Sequence, residues 1–346
     1  MMRGNDRLRD LKMRTLLAIL MCFALAMAAG CAKKSEAEPP IKIGLNVWPG
    51  YGPIFIAAQK GLFKKNGVDV ELVLTPGQNA SLKVYEKGDV DGVFTTMPDM
   101  ILLNSRGKPA TVVYVTDFSM TGDVIIGRPE FKTMADLKGQ RLSFEGTNTF
   151  SNIFVLKALG QAGLKEYDVT FQSVPAHQVL ARLEDGSIAA GHTWEPTKSE
   201  ALNKGYKILA EAKNIPGVII DVLTFNPEII HRRPEAIKAI VKSLLEAQEY
   251  VDSHRGESLE LMAKAFQMGT EEMRKGLEGI DQPDLDGNVE AMKIAEGSRS
   301  LHSSWQTVLR FYFERGQLRN IPDFKSAVDP SFVNELKAAK ARARHL

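Results

Sequence analysis

Residues 41–51 of the chain are Ile41-Lys42-Ile43-Gly44-Leu45-Asn46-Val47-Trp48-Pro49-Gly50-Tyr51. The alternation of apolar and polar side chains up to Asn46 predicts a β-strand, and Pro49-Gly50 predicts a turn. The following residues, 54–60, have helical composition and end at Gly61. A strand, a turn and a helix in this order are the opening unit of an α/β fold.

Trp48 and Tyr51 on this turn are the first candidate binding residues. Ligands of open α/β sheets bind outside the carboxyl ends of the strands, and aromatic side chains at such a place can stack on a small molecule. The same two side chains could instead cap the core, and the turn by itself does not separate the two interpretations.

The rest of the chain continues the alternation and then becomes helical. Strand-like and helix-like runs alternate from Val68 to Phe225, which favours βα units and a largely parallel sheet. After Pro227 the pattern predicts helices at 234–253, 258–266, 270–277, 289–296 and 301–315, with one more at 330–344. The fold class is therefore α/β, with two α/β lobes and a helical C-terminal part.

The N-terminus indicates secretion. Five basic residues lie between Arg3 and Arg14, and an apolar run follows from Leu16 to Ala29. The run is shorter than the roughly 20 residues that span a bilayer, so it is interpreted as a signal peptide. Its end, Ala28-Ala29-Gly30-Cys31, resembles a bacterial lipobox, in which the cysteine is lipidated. The alternative is ordinary cleavage near Gly30.

Composition excludes several classes of protein. Removal of residues 1–31 leaves 39 basic and 40 acidic residues, a balance that does not suggest nucleic-acid binding. No cysteine follows Cys31 in the sequence, so a disulfide framework and a cysteine nucleophile are excluded. The six histidines are not at metal-ligand spacing, and no catalytic motif occurs. We predict no catalytic site, no metal site and no cofactor.

Three further stretches carry candidate binding residues. Residues 146–152 open a helix with hydroxyl and amide groups, which suits either an anion site or simple N-capping. Trp194-Glu195 places a ring beside a carboxylate, as cation sites do, although Glu195 could simply complement a helix dipole. Asp221 lies inside an apolar strand, where a carboxylate needs a partner. That partner is either a nearby Lys or Arg, or the amine of a ligand.

With these pieces placed, the chain resembles the periplasmic substrate-binding proteins of ABC importers, in the nitrate/sulfonate/taurine branch that includes binders of the thiamine pyrimidine precursor. The resemblance covers roughly Ile41 to Phe313. Its motifs, in order, are Val47-Trp48-Pro49-Gly50-Tyr51, Lys60-Gly61-Leu62-Phe63 after Ala57, Gly67-Val68-Asp69-Val70, Gly88-Asp89-Val90-Asp91-Gly92, Leu137-Lys138-Gly139 and Thr193-Trp194-Glu195-Pro196.

The resemblance implies a type II periplasmic-binding-protein fold, in which two lobes close on the ligand. The crossover strands would be Val124–Gly127 and Val218–Phe225. The implied organisation is a signal peptide at 1–31, a tether at 32–40, a discontinuous first lobe at 41–123 and 226–330, a second lobe at 124–225, and a C-terminal helix or tail at 331–346.

Carried over to this sequence, the resemblance implies a cleft between the lobes. Its expected ligand-binding residues are Trp48, Tyr51, Thr96, Asp117, Ser119, Asp123, Thr147, Thr149, Trp194, Glu195 and Asp221. Several acids and no cluster of Lys or Arg make nitrate and bicarbonate poor candidates. We expect an amine-bearing ligand, with taurine-like sulfonates first: the amine on Asp221 and Glu195, the sulfonate at the helix start. A pyrimidine stacked between Trp48 and Trp194 is the alternative.

The partners implied by the resemblance are the small ligand, an ABC permease and its ATPase. We expect a monomer in the periplasm or at the bacterial cell surface, attached to the membrane only through a lipid on Cys31, with no nucleic acid bound. A ligand-sensing lobe for a membrane receptor is a second possibility. An enzyme of pyrimidine-precursor synthesis on the same fold is disfavoured, because related enzymes are expected to carry a cysteine-rich stretch.

Overall fold

The computed structural model describes residues 38–343, so the predicted signal peptide, Cys31 and most of the tether lie outside the described residues. The strands are β1 (Ile41–Asn46), β2 (Val70–Thr75), β3 (Gly92–Thr96), β4 (Thr111–Ser119), β5 (Val124–Gly127), β6 (Arg141–Phe144), β7 (Thr170–Ser173), β8 (Ala190–Thr193), β9 (Lys207–Glu211), β10 (Ile220–Phe225) and β11 (Ile280–Asp281).

The helices alternate with the strands as far as β10 and occupy most of the chain after it. They are α1 (Pro53–Gln59), α2 (Leu62–Lys65), α3 (Gln78–Lys87), α4 (Met97–Ser105), α5 (Phe150–Gln161), α6 (Val179–Glu184), α7 (Thr197–Asn203), α8 (Pro227–Arg232), α9 (Pro234–Ser253), α10 (Arg255–Phe266), α11 (Thr270–Glu278), α12 (Leu285–Ala291), α13 (Leu301–Glu314), α14 (Phe324–Ala327) and α15 (Ser331–Ala343). Between residues 38 and 343, none of them has the length and apolar content needed to cross a bilayer.

The strands form two sheets. The first sheet has the order β11-β4-β10-β3-β1-β2, and the second has the order β7-β6-β8-β5-β9. Strand β1 runs parallel to β2 and β3, as the alternating strand and helix pattern predicts. Strand β10 runs antiparallel to both β3 and β4.

The chain passes between the sheets twice. It leaves the first sheet after β4, enters the second at β5, and returns to the first between β9 and β10. The sequence interpretation ended the second lobe at Phe225, whereas β10 is hydrogen-bonded within the first sheet. Strand β10 returns from the second sheet and pairs with the first. The lobe boundaries at 123/124 and 225/226 stay a prediction.

Most predicted helices occur with small shifts at their ends, and α9 has the predicted bounds. The predicted helix at 289–296 is wrong in position, because α12 runs from Leu285 to Ala291. The reason is local: the Asp284 carboxylate accepts a hydrogen bond from the Gly287 amide at 2.8 Å and caps an earlier start.

The first passage between the sheets is held by one carbonyl group. The backbone amides of Met120, Thr121 and Gly122 all donate to the Gly279 carbonyl oxygen, at 3.0, 2.9 and 2.9 Å. Gly279 directly follows α11, so this helix end fixes the segment that joins β4 to β5.

We expect Gly279→Ala to destabilise the protein by about 1–3 kcal/mol, the usual range for overpacking. An added Cβ atom would lie 2.8 Å from the Gly122 nitrogen and 2.9 Å from its Cα atom, and backbone cannot rotate away. Urea unfolding measures the change. Gly160→Ala on α5, where nothing lies within 4 Å of the added Cβ, is the control and should not destabilise. Equal stability of the two variants would contradict the prediction.

Candidate ligand-binding site

Residues at the strand ends of both sheets line a small space, which we call the inner cavity. It has a volume of about 10 Å³, enough for about one water molecule. Its lining residues are Asn46, Trp48, Tyr51, Gln78, Thr96, Asp123, Phe150, Trp194 and Asp221.

Six of the eleven residues expected from the sequence line the inner cavity. Four of these six residues lie at strand ends: Trp48 and Tyr51 lie just beyond β1, Thr96 ends β3, and Trp194 follows β8. Asp221 lies near the start of β10, and Asp123 lies on the first passage between the sheets. The structure therefore brings these side chains together, and their role in binding stays a prediction.

Asp117 and Ser119 lie behind the cavity wall. The Trp48 indole Nε1 donates to Asp117 Oδ2 at 3.0 Å, and this carboxylate is fully buried. The Ser119 hydroxyl oxygen accepts from the Asp123 amide at 3.1 Å. Both residues support side chains that line the cavity.

The start of α5 is an N-cap in this structure. Thr149 Oγ1 donates to the Gly146 carbonyl at 2.8 Å and accepts from the Asn152 amide at 3.4 Å. The Phe150 amide donates to Asp99 Oδ1 at 2.8 Å, so a carboxylate of α4 already occupies this helix end. Thr147 is exposed and does not line the cavity.

Glu195 lines a second, larger space that Trp194 also lines, which we call the outer cavity. The outer cavity has a volume of about 160 Å³ and shares Asn46 and Trp194 with the inner cavity. Glu195 Oε2 accepts from the Ser199 amide at 3.0 Å, at the start of α7. The dipole-complementing role considered for Glu195 is thus present, and it leaves the other carboxylate oxygen available.

Three lining residues were not expected from the sequence. Asn46 ends β1 and Gln78 begins the helix after β2, so the rule that ligands bind at strand ends could have found both. Phe150 gave no signal, since an aromatic residue at a helix start resembles any core residue. It reaches the cavity because α5 packs against α4, the helix that follows β3 of the first sheet.

The two tryptophans do not form a parallel sandwich. Their ring centroids lie 6.3 Å apart with an interplanar angle of 87°. Each ring is turned by its own hydrogen bond: Trp48 donates to Asp117, and Trp194 Nε1 donates to the Val47 carbonyl at 3.1 Å. A ligand stacked between the two faces would need both rings to rotate.

Three carboxylates are gathered by the strand register. Asp221 of β10 lies opposite Thr96 of β3 on one side and Asp117 of β4 on the other, and Asp123 lies nearby. Burial, with the charges of Asp117 and Asp123 adding to it, raises the pKa of Asp221 well above its ordinary range. Burial likewise raises the pKa of Asp117 to about 8. The cluster therefore resists full ionisation unless a positive charge enters.

The inner cavity presents acceptors. Tyr51 Oη donates to Asp221 Oδ1 at 2.5 Å, and Gln78 Nε2 donates to Thr95 Oγ1 at 2.7 Å. Both indole N–H groups are also used. Asp221 Oδ2 and Asn46 Oδ1 are buried without a hydrogen-bond partner among the described residues. A group that donates several hydrogen bonds would satisfy them.

A buried histidine fixes Asp123. His192 Nε2 lies 3.0 Å from Asp123 Oδ1, and its Nδ1 lies 2.7 Å from Ser151 Oγ. The residue types match a Ser-His-Asp triad. The Ser151 hydroxyl oxygen, however, also accepts from the Glu145 amide at 2.9 Å and lines neither cavity. This network orients the carboxylate and offers no nucleophile to a bound molecule.

Comparison with known proteins agrees with this architecture. A family model described as the NMT1-like family matches residues 34–267. The chain is 27% identical over 261 residues to a putative binding protein of Brucella abortus (strain 2308), which covers 73% of this chain and 79% of the relative.

Two solved structures have a similar fold. The ligand-binding component of an ABC-type import system from Staphylococcus aureus superposes with a TM-score of 0.72 at 16% identity, over 86% of this chain and 99% of the other. The periplasmic aliphatic sulphonate-binding protein SsuA from Escherichia coli gives 0.69 at 20% identity, over 85% and 94%. The likeness confirms the periplasmic-binding-protein fold implied by the sequence resemblance.

Proposed function

The chain belongs to the NMT1-like family, and we propose that it is the solute-binding component of an ABC importer for a small organic cation that donates N–H hydrogen bonds. The family and the printed descriptions of its relatives support the transport role. The chemistry of the inner cavity supports the ligand class.

One observation carries the choice of ligand: two buried acceptors, Asp221 Oδ2 and Asn46 Oδ1, lack a donor within the described part of the chain. A buried acceptor without a partner is costly. No lysine or arginine is among the residues that line the inner cavity. An ammonium group carries one positive charge and three donors and is about the size of a water molecule, so it fits the cavity.

The same chemistry disfavours bare anions as ligands, and it supports the amine of a taurine-like ligand better than its sulfonate. Nitrate would meet the carboxylates of Asp123 and Asp221 with no counter-charge from the lining residues. A taurine-like compound could place its amine beside Asp221. Its sulfonate would compete with Asp99 for the Phe150 amide at the start of α5. The amine half of the hypothesis is thus better supported than the sulfonate half.

An amino-substituted nitrogen heterocycle is the second candidate. Four aromatic side chains line the inner cavity: Trp48, Tyr51, Phe150 and Trp194. Phe150 and Trp194 have centroids 5.9 Å apart with their planes tilted by 41°. A planar ring is larger than the inner cavity, so it would contact these faces, with its amino group donating to Asp221, only after the lobes open.

The remaining parts of the proposal concern the setting of the protein. We place it as a monomer in the periplasm or at the cell surface, with a lipid on Cys31 as its membrane anchor. It delivers solute to a permease and its ATPase and performs no chemistry. We propose 41–123 with 226–330 as the first lobe and 124–225 as the second, with the returning strand β10 paired with the sheet of the first lobe.

Thermal unfolding of the purified protein with four probes tests the ligand class. The probes are n-propylamine, 2-aminopyrimidine, taurine and nitrate. A compound at 100 times its Kd adds about 2.7 kcal/mol of stability. We expect an amine-bearing probe to stabilise the protein and nitrate to leave it unchanged. Stabilisation by nitrate alone would refute the cation assignment.

A further inference from the structure

The outer cavity is built much like the inner one. Its lining residues are Asn46, Val47, Pro76, Gly77, Glu145, Ala176, His177, Thr193, Trp194, Glu195, Pro196, Thr197 and Phe266. No lysine or arginine is in this set, and two carboxylates are. The outer cavity is also much larger, about 160 Å³ against about 10 Å³.

Both carboxylates are buried and incompletely satisfied. Glu145 is 4% exposed and Glu195 is 1% exposed. Glu145 Oε2 and Glu195 Oε1 have no hydrogen-bond partner within residues 38–343. Burial raises the pKa of Glu145 to about 8, with the charge of Asp99 adding to it. Burial raises the pKa of Glu195 as well.

The basic side chains near this pair give Glu145 Oε2 and Glu195 Oε1 no hydrogen bond. Lys198 Nζ forms an ion pair with Glu195 Oε1 at 3.8 Å, too long for a hydrogen bond, and donates its hydrogen bond at 2.7 Å to the Thr121 carbonyl. His177, a lining residue, is exposed and lies 3.3 Å from the Gln178 amide nitrogen through its Nε2. The outer cavity therefore presents two buried carboxyl oxygens that have no hydrogen-bond partner among the described residues, as the inner cavity does with Asp221 Oδ2 and Asn46 Oδ1.

We propose that the outer cavity is a second subsite for a cationic N–H donor, held by Glu145 and Glu195, and that the solute is a dication with an amine at each end. One ammonium lies in the inner cavity beside Asp221, and the other lies in the outer cavity. This inference rests on the proposed function. Asn46 and Trp194 line both spaces, so the two proposed subsites are neighbours.

Isothermal titration of the full-length protein with matched probes tests this inference. The probes are n-propylamine, 1,3-diaminopropane, 1,4-diaminobutane and 1,5-diaminopentane, which differ in the second amine and in its reach. We expect at least one diamine to bind about tenfold or more tighter than the monoamine, a difference of about 1.4 kcal/mol. A preference for one chain length is also expected, because both subsites are fixed in place.

Two isosteric variants locate the effect. In Glu145→Gln and Glu195→Gln, the ratio of the n-propylamine Kd to the diamine Kd should fall toward one. Glu200→Gln is the control, since Glu200 is exposed on the same helix as the Glu195 cap and lines neither cavity. The comparison of the three diamines uses only the wild-type protein, so its result remains valid even if a substitution unfolds a variant.

The outcomes separate the two proposals. Equal affinity for n-propylamine and all three diamines would overturn the second subsite and leave the proposed function standing. A diamine preference that survives both Glu variants would also overturn it. Absence of binding by every amine would overturn both proposals together.

Discussion

Asp221→Asn is expected to weaken binding of n-propylamine by about 1.5–3 kcal/mol, the range for a hydrogen bond to a charged group. The carboxylate supplies the negative charge and an acceptor without a partner among the described residues, Oδ2, at the inner cavity. Asparagine keeps the shape and can still accept from the Tyr51 hydroxyl, which lies 2.5 Å from Oδ1. Titration calorimetry at pH 7 measures the loss.

The same variant should stabilise the unliganded protein. Asp221 ionises readily in the unfolded chain, whereas burial beside Asp117 and Asp123 raises its pKa well above the ordinary range in the folded protein, and asparagine removes the cost of that difference. Asp89→Asn is the matched control, because Asp89 is exposed in a turn after α3. An Asp221→Asn protein with wild-type affinity for the amine would show that the carboxylate does not hold the ligand.

The unliganded protein is expected to lose stability as the pH rises from 5 to 8. Burial raises the pKa of Asp99 to about 7 and the pKa values of Asp117 and Glu145 to about 8. In the unfolded chain these groups lose their protons near pH 4, whereas the folded protein keeps them to higher pH. The folded state then binds more protons than the unfolded state, so its stability falls with pH.

The expected loss across this window is at least about 1.4 kcal/mol, the equivalent of one pKa unit for one group. Urea unfolding at pH 5, 6, 7 and 8 measures it. Exposed carboxyls with lowered pKa values, such as Asp136 and Glu257, are already ionised at pH 5 and do not add a slope. Asp99→Asn should flatten the profile, and a free energy of unfolding that rises from pH 5 to 8 would contradict the prediction.

Local sequence patterns were sufficient for the elements and for several site residues. The alternation from Ile41 to Asn46 predicts β1 because side chains of a strand alternate between two faces. Pro49-Gly50 predicts the turn that carries Trp48 and Tyr51 to the strand end. Asp221 could be singled out because a carboxylate in an apolar strand is costly wherever that strand lies.

The contacts that define the chemistry of the site join residues far apart in the chain. Tyr51 donates to Asp221 across 170 positions, and Trp48 donates to Asp117 across 69. The sequence at the start of α5 suits both an anion site and an N-cap. In the structure the Asp99 carboxylate of α4, 51 positions away, accepts the hydrogen bond of the Phe150 amide at this helix start. No local pattern contains that information.

The sequence alone therefore determined the order of strands and helices, the α/β class and the acidic, aromatic character of the strand ends, because these depend on near neighbours. Only the tertiary structure decided which acids lie side by side, which donors are already used and where two cavities meet at Trp194. Those features follow from strand order and register, which place β10 between β3 and β4 and bring the second sheet against the first.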